Sequence, residues 1–148
     1  RRGPGRVDGA RAIYHAAGGG AGLATFFDDV PERLAAAQLV IARAGASTVA
    51  ELTAAGRPAI LVPYPSATDD HQTANARAID AAGGGWLVAE SDFTVAGLAA
   101  RIGDFLDHPG RLIEAAAKAL ALGIPDAAGR LATLVEDCMP AIHGEAAV

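Results

Sequence analysis

Cysteine is nearly absent from this chain. Cys138 is the single thiol among 148 residues, which excludes an internal disulfide framework and fits a reducing compartment. A surplus of positive charge is also missing. With a formal net charge of −5 there is no electrostatic case for nucleic acid, and the one basic cluster, Arg1, Arg2 and Arg6 among glycines, reads as a flexible end. No apolar run approaches the roughly 20 residues of a membrane-spanning helix, and no signal peptide opens the chain. A peripheral membrane contact stays open. Methionine occurs only at Met139, so Arg1 is not a translational start, and the sequence is expected to be a piece of a longer protein.

The remaining composition, 51% hydrophobic and 20% charged, is that of an ordinary globular protein long enough for one real core. Residues 1–8, rich in Gly, Arg and Pro, are expected to be poorly ordered, and 10–17 to form a short helix stopped by Gly18, Gly19 and Gly20. Short apolar runs at 23–27, 39–42, 59–62 and 86–88 read as strands. Between and after them lie helices expected over about 31–38, 48–55, 71–82, 95–107, 110–122 and from Asp126 onward, with 141–148 a frayed tail. Strands that are continuous apolar runs alternating with helices predict an α/β fold: a Rossmann-like parallel sheet with helices on both faces. Four strands is a thin count for such a sheet and suggests truncation at the N-terminal side.

The stretch from Ala42 to Glu51 organises the rest. An apolar strand turns through Arg43, Ala44 and Gly45 into a helix whose stop is Gly56, with Pro58 beyond. A helix entered in this way leaves its first N–H groups unpaired at the positive end of the helix dipole, a ready site for phosphate. The plainer alternative is that Thr48 and Glu51 form a capping box, Thr-x-x-Glu, and nothing more.

A second polar group opens the helix expected at 71–82. At about 100° per residue, Ala78, Ile79 and Ala82 define a core-facing stripe on which His71 and Asn75 also fall. Gln72 lies on its flank, and Thr73, Arg77 and Asp80 face away. A stripe that is apolar at one end and polar at the other lines a wet cleft or a ligand, because buried amides and imidazoles need partners. Both groups follow the carboxyl ends of strands, where open α/β sheets bind ligands. One supplies donors for a pyrophosphate and a carboxylate suited to a ribose diol, the other neutral groups suited to sugar hydroxyls. Together they describe a nucleotide-sugar site.

Three segments, 40–52, 56–63 and 69–76, closely resemble the C-terminal domain of the MurG family, bacterial GT-B glycosyltransferases. The resemblance runs from about Leu23 to Val135 and is weak before it. It implies a lead-in over 1–22, a C-terminal donor-binding domain of a GT-B glycosyltransferase over 23–138, and a tail over 139–148. It implies that Ala46, Ser47 and Thr48 meet the diphosphate, that Glu51 binds the ribose, and that His71, Gln72 and Asn75 contact the GlcNAc hydroxyls. Phe27 would sit beside the uracil, with Arg43 and Gly45 shaping the turn.

The implied reaction is an inverting transfer of GlcNAc from UDP-GlcNAc to lipid I, making lipid II at the cytoplasmic face of the bacterial plasma membrane, where such an enzyme is peripheral. No cofactor or metal is implied. The pairs Asp28-Asp29 and Asp69-Asp70 lack Asp-x-Asp spacing and read as helix-start carboxylates. No catalytic residue is assigned to this chain: the family's base and acceptor site lie in an N-terminal domain without counterpart here, which predicts donor binding without turnover. Ser66 departs from a histidine common in the family. Three alternatives remain: another UDP-sugar GT-B transferase, the catalytic subunit of a dolichol-linked GlcNAc transferase, and a non-catalytic α/β nucleotide-binding module.

Overall fold

A computed structural model describes residues 5–65 and 70–139. Ser66, Thr68, Asp69 and the expected tail at 141–148 lie outside the described residues. The chain divides into two compact units, one up to Arg33 and one from Leu34 onward.

The first unit holds α1 (Gly5–Ala16) and the start of α2 (Val30–Ala36). Helix α1 begins five residues before the expected Ala10, so residues 5–8 are helical rather than irregular. The strand expected at 23–27 does not form: these residues are irregular, and among the described residues none pairs in a sheet. An isolated extended segment gains too little from its own backbone to persist, and Phe26 is left exposed. What holds the segment is polar. Arg11 donates to the Leu23 carbonyl at 3.3 Å, and Arg33 pairs with Asp29 at 2.7 Å while lying over the Phe27 ring at 3.9 Å.

The second unit is built on three parallel strands, β1 (Val40–Ala42), β2 (Ala59–Leu61) and β3 (Gly85–Leu87), in the order β1-β2-β3. Val40 aligns with Ala59, and Ala59 with Gly85. Successive residues of β2 serve opposite faces, as strand geometry requires. Ala59 and Leu61 join Ala44, Leu52, Ala76 and Ile79 on one face, packed by α3 (Ala46–Ala54) and α4 (His71–Ala81). Ile60 and Val62 join Phe105 of α5 (Val95–Asp107) on the other, with Leu112 of α6 (Gly110–Leu122) against them. Trp86 and Phe105 stack with ring centroids 4.4 Å apart on this second face. Fully burying side chains such as Ile60 and Leu61 contributes about 1.5–3 kcal/mol each. The sheet is therefore covered on both faces, as the strand pattern predicts.

Glycine permits the tight packing of α6 against β3. Gly83 adopts a positive φ of 76° at the end of α4. A Cβ on Gly84 would come within 3.0 Å of the Ala119 backbone, and one on Gly85 within 2.5 Å of the Ala59 carbonyl oxygen. After β3 the chain makes a 3₁₀ turn (Glu90–Asp92) and enters α5, where the Thr94 hydroxyl accepts from the Gly97 N–H at 3.1 Å. The last helix among the described residues is α7 (Ala127–Cys138), which starts after Asp126 as expected.

Candidate functional site

The turn after β1 delivers the chain into α3 two residues before the expected helix start at Thr48. Gly45, not Thr48, occupies the cap position, with extended backbone at φ −64° and ψ 149° and no side-chain cap bond. The Thr-x-x-Glu capping box is therefore not formed, because Thr48 already sits inside the helix as its third residue. Val49 is the first N–H to find an acceptor in the turn, the Gly45 carbonyl at 3.0 Å. The N–H groups of Ala46, Ser47 and Thr48 meet no acceptor among the described residues. They stand at the positive end of a nine-residue helix. Glu51, exposed, lies one turn further on and is a surface neighbour of both Ser47 and Thr48.

Helix α4 brings the second polar group to this turn. The Asn75 amide donates to the Ala44 carbonyl at 3.1 Å. Ala44 is wholly buried, so its oxygen cannot turn to water and depends on that donor. Gln72 is committed differently: its Oε1 accepts from the Tyr64 N–H at 3.0 Å, leaving the NH₂ end without an acceptor among the described residues. His71 is exposed at the first position of the helix, preceded by Asp70 in a left-handed conformation with φ 52°.

The buried stripe of α4 is rotated from the expected one. Ala76 and Ile79 are buried and Thr73 half-buried, whereas Ala78 and His71 are exposed. Ile79, which lies against Gly85, is common to both stripes, and the alanine buried beside it is Ala76 rather than Ala78.

Arg43 ties the carboxyl ends of the strands together. Its Nη1 lies 3.3 Å from the Val62 carbonyl, 3.0 Å from that of Pro63 and 2.8 Å from Glu90 Oε2, and the guanidinium sits 5.5 Å from the centre of the Tyr64 ring. The hydrogen bond from Arg43, helped by its charge and opposed by a smaller loss of hydration, holds the Glu90 carboxyl below its usual range; the same bond raises the Arg43 value. Glu90 was missed by sequence reasoning. It lies 47 residues from Arg43 in an acidic stretch with no motif to mark it.

Phe27 belongs to the first unit, half-buried beneath Arg33. Asp29 is drawn below the usual carboxylate range chiefly by its hydrogen bond from Arg33, which suits the reading of a helix-start carboxylate. Among the described residues no three His, Cys, Asp or Glu side chains gather where a metal could be held.

Comparison with known proteins identifies the family. The family described as "Glycosyltransferase family 28 C-terminal domain" matches residues 8–131. Two relatives share the name UDP-N-acetylglucosamine--N-acetylmuramyl-(pentapeptide) pyrophosphoryl-undecaprenol N-acetylglucosamine transferase. That of Rhodospirillum centenum is 63% identical over 126 residues, covering 85% of this chain and 33% of the relative. That of Rhodospirillum rubrum is 56% identical over 132 residues, covering 89% of this chain and 34% of the relative. The crystal structure of Acinetobacter baumannii MurG superposes with a TM-score of 0.79 at 31% identity, over 93% of this chain and 42% of that one. The chain thus spans about a third of the length of these curated relatives. With the parallel sheet and its two helical layers already described, these matches establish that the chain belongs to the glycosyltransferase family 28 C-terminal domains.

Proposed function

We propose that the chain is the UDP-GlcNAc-binding part of an inverting GlcNAc transferase that acts on lipid I to make lipid II. The observation that carries this reading is the bond from Asn75 to the Ala44 carbonyl. It fastens the polar start of α4, with its sugar-suited amides, to the turn from which three unpaired N–H groups of α3 emerge. The names of the relatives, which specify a UDP-N-acetylglucosamine donor and an undecaprenol-linked acceptor, supply the substrates.

In this mechanism the diphosphate sits over the N–H groups of Ala46, Ser47 and Thr48. As the acceptor's C4 hydroxyl displaces UDP at the anomeric carbon, negative charge grows on the β-phosphate. Fixed donors and a helix dipole stabilise that charge without reorganising. Glu51 accepts from the ribose hydroxyls, while His71, Gln72 and Asn75 face the GlcNAc hydroxyls. For Gln72 and Asn75 the division of labour is specific: Gln72 offers its NH₂ and Asn75 its Oδ1, since the other end of each amide is already bonded to backbone. General-base help and the lipid acceptor belong to other parts of the full-length enzyme, working at the cytoplasmic face of the plasma membrane. Among the described residues no helix is long and apolar enough to cross that membrane.

The test is a ¹⁵N-resolved titration with UDP-GlcNAc. The amide resonances of Ser47 and Thr48 shift most, and UDP alone reproduces that part of the response. Shifts that spare the start of α3 would overturn this reading.

A further inference from the structure

Resting on the donor-site reading above, we infer that Glu90 is a positioning residue for sugar recognition, acting through Arg43 on the segment that carries Tyr64. The segment from Val62 to Tyr64 is fastened at two points. On one side Gln72 Oε1 accepts from the Tyr64 N–H; on the other, Arg43 holds the Val62 and Pro63 carbonyls and lies against the Tyr64 ring. Arg43 is a long side chain, 44% exposed, and it would sample several rotamers if left alone. Glu90, reaching back from the 3₁₀ turn after β3, receives Arg43 Nη1 at 2.8 Å and fixes where the guanidinium sits. The pair is exposed on both sides, so its part in global stability is small. Its consequence is local: an immobilised Arg43 keeps the Tyr64 segment, and with it Gln72, in place.

The phosphate turn does not share this dependence. Its buried Ala44 carbonyl is held by Asn75, and its unpaired N–H groups take their direction from the helix they begin. Loss of Glu90 therefore separates the two halves of the site, loosening the sugar side while leaving the diphosphate side intact.

Glu90→Ala and Glu90→Gln in the full chain test this, read by hydrogen exchange and by titration with UDP-GlcNAc and with UDP. In Glu90→Ala the Tyr64 amide exchanges about fivefold faster, the equivalent of one weakened hydrogen bond. UDP-GlcNAc binding weakens by about the same factor relative to UDP, and UDP binding is unchanged. Glu90→Gln, whose side-chain oxygen still accepts from Arg43, restores both. Unchanged exchange at Tyr64 overturns the inference whatever the ligands do, and so do equal losses for UDP and UDP-GlcNAc. Faster exchange at Tyr64 in a protein whose unmutated form binds neither nucleotide supports the clasp and counts instead against the donor site.

Discussion

Gly45 is a glycine that the fold itself does not demand. Its φ of −64° is open to any residue, and a Cβ there would meet nothing nearer than the Thr48 hydroxyl at 3.9 Å. In the proposed donor site, a diphosphate approaching the start of α3 would come close to this position. Gly45→Ala should therefore cost less than about 1 kcal/mol in stability, the loss of a tolerable cap residue, while nucleotide affinity drops at least tenfold. Thermal unfolding and calorimetry on the same sample separate the two; a large fall in melting temperature with affinity intact would contradict the argument. The Glu90 carboxyl offers a second check at this scale. Because Arg43 holds it below its usual range, whose reference value is 4.5, the pair is fully formed above that value. It is lost only as pH falls through the lower, folded-state value. An NMR titration of the Glu90 side chain should show a midpoint below 4.5 that returns toward it in Arg43→Ala. A midpoint at or above the reference in the intact protein would mean the bond is not made in solution.

At the scale of elements, the three observed strands were legible because each is a short run of apolar residues too brief for a helix and bounded by Gly, Pro or a polar turn. The failure at 23–27 has a physical cause: a strand is a property of a pair, and apolar side chains alone do not supply the partner. The start of α3 was misplaced by two residues because Thr48 and Glu51 have capping-box spacing, while Gly45, extended and unobtrusive, holds the cap position. With Gly45 at the cap, the Thr48 side chain does not cap the helix and three N–H donors stay unpaired among the described residues. The rotation of α4 was not legible because Ile79 faces the core in either orientation and the alanines beside it fit both; in the fold Ala76, not Ala78, is buried with it. Gly83 and Gly84 follow α4, and Gly85 is where β3 pairs beside Ala59 with no room for a methyl. Gly85→Ala should destabilise the protein by about 1–3 kcal/mol through overpacking, measurable by denaturant unfolding. A neutral result would show that β2 and β3 can move apart freely.

Across the whole molecule, the sequence exposes the two polar groups but not the contacts that join them. Asn75 and Ala44 are 31 residues apart, and Arg43 and Glu90 are 47 apart. Neither separation follows a periodicity, because each is set by the parallel order of the strands. That order places the turn after β1, Val62–Tyr64 after β2 and the 3₁₀ turn after β3 side by side along one rim, the rim where open α/β sheets hold ligands. Membership of the glycosyltransferase family 28 C-terminal domains agrees with a donor site on this rim, and the central claim is that the rim reads both the nucleotide and the sugar. Calorimetric titration of the chain with UDP-GlcNAc, UDP-glucose and UDP-GalNAc tests it most directly, with Glu51→Ala and Gln72→Ala alongside. The account predicts selective binding of UDP-GlcNAc. Glu51→Ala should weaken all three ligands, and Gln72→Ala should erase most of the preference among them. Equal binding of the three sugars, or a preference that survives Gln72→Ala, would contradict it.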